Sequence, residues 1–408
     1  MAAPQLALSA FWFLYMGAMG IFYPFLALYL KENAGLSGSE VGVVLAVFPL
    51  VSMVAPTAWG IVADRTGAAT RVLGCVTLVA SIAQAALGTV RGFPALVAGA
   101  AVLAAFSTAV LPLGISVSLA ALGADGSSRF GRVRVWGTIG YLVCVVGYPW
   151  MLDRFQSAVP VVPGGGVSEP ALGSLFAVAA GLGVLAAAST LALPRARAVP
   201  VSVARREWLD LRRHPPIAGI LTFSFLAYLF LQGPMSLFPV YLRARGGDLD
   251  ALSLMWVVML LPEIPLVALS GAGLRKFGAR TLLAVGTLAG GLRWLVCGFS
   301  HDLGVVYAVQ ALHGVVVAGL LVGSPLYLEA ALADRLRSTG QGLLAMAGVG
   351  VGGIASNVIT GWLFEHLGPD QPYVIGGIGA LLLGLALPAI LPPPSRPAHA
   401  VRAETTSR

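Results

Sequence analysis

Long apolar runs separated by short polar stretches repeat along the whole chain. A membrane-spanning helix needs about 20 predominantly apolar residues. Breaks at charges, Pro and Gly divide the sequence into twelve such runs. The first six fall at 9–30, 40–62, 72–91, 94–118, 132–153 and 171–193. The second six fall at 215–242, 250–273, 280–299, 303–329, 339–364 and 372–392. The pattern predicts an all-α integral membrane protein with twelve transmembrane helices in two six-helix bundles. A basic stretch holding Arg195, Arg197, Arg205, Arg206, Arg212 and Arg213 lies between the sixth and seventh runs. The expected organisation is an N-terminal bundle (1–194), a basic linker (195–213), a C-terminal bundle (214–392) and a tail (393–408).

Composition narrows the class. Of 408 residues, 58% are hydrophobic and only 10% charged, against about 45–50% and about 25% in soluble domains. That excludes a soluble enzyme, a nucleic-acid binder and a disordered chain. The 51 glycines suit close packing of membrane helices. The net charge of +8 reflects clusters in alternate loops, led by Arg65, Arg71, the linker and the tail arginines. By the positive-inside rule those loops and both termini lie in the cytoplasm, and nucleic acid is not needed to explain them. The expected location is the cell (inner or cytoplasmic) membrane, multi-pass, with the bilayer as a partner. No basic residue precedes Lys31, so the first run reads as a retained helix rather than a cleaved signal. Cys75, Cys144 and Cys297 sit apart in apolar runs without metal-ligand spacing, so no metal is expected.

A repeat links the halves. After the second run the chain reads Gly60-Ile-Val-Ala-Asp64-Arg65-Thr-Gly67-Ala-Ala-Thr-Arg71; after the eighth it reads Gly271-Ala-Gly-Leu-Arg275-Lys276-Phe-Gly278-Ala-Arg280. The shared glycine–charge–charge–glycine spacing at matching positions is the mark of duplicated transporter halves.

On these residues the chain resembles the major facilitator superfamily, whose loop between helices two and three has this pattern. More narrowly it resembles the branch containing lactose permease and the phenylpropionate permeases. The supporting stretches are Met16–Phe25, Phe130-Gly-Arg-Val-Arg134, Pro262-Glu263, Leu292-Arg293 and Leu312-His313-Gly314. The resemblance implies the major facilitator fold and secondary transport by a functional monomer, two bundles rocking about a central site. It implies that Arg134, Glu263, Arg293 and His313 take part in substrate binding and proton coupling. Departures stand beside it. Ser116 replaces a sugar-binding acid, Tyr141 a stacking Trp, and Gln310 and Val316 a Lys and a carboxylate, while the seventh run offers only Gln232. Lactose is therefore not the expected substrate.

The residues themselves support the same assignment. A charged side chain near the bilayer centre costs about 2.5–3.5 kcal/mol on insertion scales, so buried charges mark sites. Glu263 lies midway along its run between Pro262 and Pro265. Burial there disfavours the charged form, which suits a group that takes up and releases a coupling proton; an ion pair with Arg293 is the alternative. His313 follows Gln310 by three residues and shares its helix face. It fits a proton relay or a neutral donor to substrate equally. Glu263, His313 and Arg293 form the expected proton-coupling set. Tyr23, Arg134, Tyr141, Gln232, Arg293, Gln310 and His313 form the expected substrate site. Gly60, Asp64, Arg65, Gly67 and Arg71 form the expected cytoplasmic gate, Asp64 capping a nearby helix or pairing with a base.

The function expected is proton-coupled uptake of a small, aromatic or otherwise apolar carboxylate, with the proton gradient as energy source and no cofactor. A proton-coupled sugar or nucleoside symporter is the close alternative, and an efflux antiporter a more distant one. A membrane-embedded sensor lacks its usual soluble domain. A membrane enzyme lacks paired aspartates or a nucleophile motif, and Gly348-Val-Gly350-Val-Gly-Gly353 sits within an apolar helix where no dinucleotide site forms. No Walker sequence occurs, so ATP-driven transport within this chain is excluded, and no enzyme activity is expected.

Overall fold

The computed structural model describes residues 3–123, 126–156, 169–194, 215–332 and 334–392. The expected linker (195–213) and tail (393–408) lie outside these residues. Among them the fold is helical, with twelve helices long and apolar enough to cross a membrane. In chain order they are α1 (Gln5–Glu32), α2 (Gly38–Thr66), α3 (Ala69–Leu87), α4 (Phe93–Leu122), α5 (Arg129–Gln156) and α6 (Pro170–Ala192). The second six are α7 (Ile217–Ser236), α8 (Leu249–Leu266), α9 (Lys276–Phe299), α10 (Leu303–Ala331), α11 (Thr339–Leu367) and α12 (Gln371–Ile390). This is the expected integral membrane fold. Many large apolar side chains remain exposed, among them Leu382, Leu385 and Trp150, as suits helices whose outer faces meet lipid rather than water.

The seventh run is shorter than its apolar length suggested. α7 stops at Ser236, and after Leu237 a separate short helix, Phe238–Ala244, begins with Pro239 in its first turn. Proline is compatible with a first turn but cannot supply the N–H that would continue the preceding helix.

The chain groups into two compact units, Met1–Val201 with Leu237–Trp256, and Ser202–Ser236 with Val257–Arg408. The segment 237–256 therefore groups with the first-half helices. Its Arg243 reaches Glu32 at 3.3 Å and Glu169 at 3.1 Å. Ser253 donates to the Val145 carbonyl at 2.6 Å, and Trp256 lies 5.7 Å from the Tyr141 ring.

In the first unit α1 is the central strut, packed against α5 and α6. Its backbone meets α5 at glycine. A Cβ on Gly20 would stand 2.6 Å from the Tyr141 carbonyl oxygen, and one on Gly140 would collide with the Phe13 carbonyl. Gly140→Ala is expected to cost about 1–3 kcal/mol through overpacking, read as a lower unfolding temperature of the purified protein. Gly147→Ala, where no atom stands within 4 Å, should leave it unchanged. Phe11, Trp12 and Tyr15 fill the core beside this seam, with the Trp12 indole donating to Ser118 Oγ at 3.1 Å.

The repeated turn keeps a glycine at positive φ in both halves but not one conformation, since ψ is 20° at Gly67 and 162° at Gly278. Gly67 has φ 61° and Gly278 has φ 79°, a region that side chains with a Cβ rarely adopt. Both glycines are thus fixed by backbone geometry.

Candidate functional site

The second unit gathers five of the expected residues into one cluster. Arg293 on α9 is buried, 2% exposed, and the contacts of its guanidinium are with neutral groups. Its Nε donates to Gln310 Oε1 at 2.7 Å, and its Nη1 meets His313 Nδ1 at 3.0 Å. Its Nη2 rests on the sulfurs of Met235 at 3.3 Å and Met259 at 3.0 Å. The Trp294 ring lies 4.0 Å from its Cζ, a cation–π contact that helps hold a desolvated cation. Gln310, wholly buried, is aimed by its own Nε2 donating to the Val306 carbonyl at 3.0 Å. No carboxylate stands within ion-pair distance of Arg293 among the described residues.

Glu263 on α8 does not pair with Arg293, the alternative its sequence position allowed. His313 stands between them, with Nε2 3.7 Å from Glu263 Oε2. Two features place His313 there. α10 breaks at Ala311–Leu312 and restarts at His313. The next residue, Gly314, brings α10 onto the α8 backbone, where a Cβ would fall 2.8 Å from Glu263 Cα.

The hydrogen bonds fix the histidine's proton. A guanidinium only donates, so His313 Nδ1 must accept and its proton resides on Nε2, facing Glu263. A second proton on Nδ1 would point at Arg293. Full protonation of His313 and its contact with Arg293 are therefore mutually exclusive.

Gln232, Arg293 and His313 also line a cavity of about 150 Å³, otherwise walled by apolar groups such as Leu231, Met235, Trp294 and Val316. Across Tyr228 and Leu320 lies a second space of about 140 Å³, with Ser224, Ser324 and Gln341 on its wall. Both spaces border the π-helical turn Ala318–Val322, and the second also borders Met346–Gly352. Such turns widen a helix by one residue and recur at functional sites. In the latter turn Gly348 packs against Ser224 and Tyr228, so its glycine-rich string serves helix packing.

The remaining candidates lie in the first unit. Arg134 is half-buried, its Cζ 4.8 Å from the Trp12 ring. Tyr141 packs on Trp256, Tyr23 packs on Phe48 with 43% of its surface exposed, and Ser116 is exposed. At the loop, Asp64 and Arg65 are exposed and form no ion pair among the described residues. The first turn of α3 carries no side-chain cap.

Sequence reasoning missed Met235, Met259, Trp294 and Tyr228. In an apolar span a thioether or ring carries no burial penalty, so nothing in the string sets it apart. Trp294 had one signal, its place beside a buried arginine.

Residues 5–375 match the MFS_1 like family. The chain belongs to that family of major facilitator superfamily transporters. It is 27% identical to the maltose permease of Geobacillus stearothermophilus over 367 residues, covering 90% of this chain and 89% of that one. It is 26% identical to a probable 3-phenylpropionic acid transporter of Escherichia coli (strain K12), covering 93% and 94%. The crystal structure of nucleoside transporter NupG superposes with a TM-score of 0.82 at 18% identity, covering 96% of this chain and 99% of that chain. The family thus matches the major facilitator resemblance, phenylpropionate branch included.

Proposed function

We propose that this MFS_1 like protein is a secondary active transporter that couples proton movement to uptake of a small carboxylate with an apolar body. The observation that carries the reading is Arg293, a buried guanidinium at the wall of an apolar cavity and without an anionic partner among the described residues. A substrate carboxylate supplies that partner through two parallel hydrogen bonds, displacing the weakly accepting thioethers from Nη2. Drawing Arg293 toward substrate releases His313 Nδ1. The imidazole is then free to take a proton, and Glu263 is the acid poised at its other nitrogen. Substrate binding and protonation are thereby linked through one side chain.

A neutral sugar or nucleoside is the second reading, favoured by the likeness to the maltose permease and by the amide of Gln232 at the cavity wall. The size of the space favours the smaller ligand. About 150 Å³ lies below the range of about 300–1,000 Å³ common for ligand pockets, and a disaccharide would also need the space beyond Tyr228. Thermal unfolding of purified protein with 3-phenylpropionate, maltose or xanthosine separates the two, since a ligand of the folded state raises its stability. Stabilisation by the acid supports the carboxylate reading; stabilisation by neutral ligands alone overturns it.

In the same cycle Asp64 and Arg65 act as a gate at the Gly60–Arg71 turn, pairing in the state that closes that side. Asp64→Asn is expected to slow turnover and raise the reactivity of cysteines introduced along that side, with ligand affinity changed less than about threefold, the scale of an exposed ion pair. Normal turnover with unchanged reactivity would make the turn a surface feature only.

A further inference from the structure

A third, larger cavity lies away from the Arg293 cluster, wholly within the first unit. About 660 Å³ of space opens between α3 and α6. Arg71, Gly74, Cys75 and Leu78 recur at helical spacing along its α3 wall. The α6 wall presents Val184 and Leu191 around a pair of alanines. Gly74 lets the helices approach so closely that a Cβ there would stand 2.5 Å from Thr190 Oγ1, and the small residues leave the groove beside that contact. Its rim is exposed, Leu78 by 40%, Val184 by 41% and Leu191 by 88%. Both helices are long and apolar enough to span a bilayer. An apolar groove open to hydrocarbon does not hold water; an acyl chain fills it.

One end of the groove has a different character. Arg71 lies in the first turn of α3, exposed and in no ion pair among the described residues. That turn has no side-chain cap, and the positive end of the helix dipole lies there. A guanidinium beside a helix N-terminus is a phosphate-binding combination. No acidic side chain lines the groove, so the ammonium of a zwitterionic headgroup finds no counter-charge there.

We propose that this groove is a binding site for one anionic phospholipid, its phosphate on Arg71 and the first turn of α3, and an acyl chain running past Cys75 to Leu78 and Val184. The site is independent of the transported substrate.

Cys75, an exposed free thiol within the groove, reports occupancy. The full chain is reconstituted in vesicles of phosphatidylcholine, with or without phosphatidylglycerol, and treated with neutral N-ethylmaleimide; Cys75 modification is read by peptide mass. Phosphatidylglycerol should slow modification about fivefold, the preference one basic side chain gives an anionic lipid. Arg71→Gln in the same vesicles should remove the difference, which separates lipid seating from the general surface potential. Native mass spectrometry should show one phosphatidylglycerol retained in preference to phosphatidylcholine, lost in Leu78→Trp, which fills the groove while keeping Arg71. Equal Cys75 rates in the two vesicle types, or retention that ignores both substitutions, would overturn the proposal.

Discussion

Arg293→Lys is expected to lower affinity for an acidic ligand by about 10- to 100-fold, the loss of one charge-assisted hydrogen bond of about 1.5–3 kcal/mol. The substitution keeps the charge and most of the length. It removes the planar fork that lets one side chain hold Gln310 through Nε and His313 through Nη1 at once. An ammonium is a point donor and cannot reproduce that geometry toward a carboxylate. The cation–π contact with Trp294 survives in weaker form, so the variant should still fold, checked by its elution and unfolding temperature. Binding of 3-phenylpropionate, followed by calorimetry on wild type and variant, is the measurement. An unchanged dissociation constant would remove Arg293 from the substrate site.

The second large effect is expected at Glu263. Glu263→Gln keeps shape and hydrogen-bonding capacity but not the exchangeable proton. Substrate exchange between equal pools needs no net proton movement and should persist. Accumulation driven by a pH gradient should vanish. His313 Nε2 then faces a neutral amide in place of a carboxyl 3.7 Å away, so the relay toward Nδ1 and Arg293 has no source. Exchange and accumulation falling together would mark Glu263 as a packing residue of the α8–α10 contact.

Much of this architecture is legible in the string of residues because the bilayer imposes a coarse rule. Twenty apolar residues make a span, and the twelve spans follow. The charges that violate that rule point to Glu263, Arg293 and His313, and the structure brings these three together. Pairings across long sequence separations are not legible. Arg243 reads as one more loop cation, yet it meets Glu32 and Glu169, residues more than seventy positions away. The insertion of His313 between Glu263 and Arg293 depends on a helix break at 311–312 and on the close approach at Gly314, neither of which a hydropathy pattern encodes. The π-helical turns leave no trace in spacing, since one extra residue in a turn does not alter an apolar run. The thioethers that complete the arginine's surroundings are silent for the same reason.

The most direct test of the central claim, that one cluster joins substrate to proton, is uptake into proteoliposomes under an imposed inward proton gradient without membrane potential. With one proton moved per substrate, each unit of pH difference supports about tenfold accumulation. 3-Phenylpropionate should accumulate to that extent in wild type, a protonophore should collapse it, and Glu263→Gln should show exchange alone. Equilibration of the acid to equal concentrations on both sides in wild type, with the gradient intact, would contradict it.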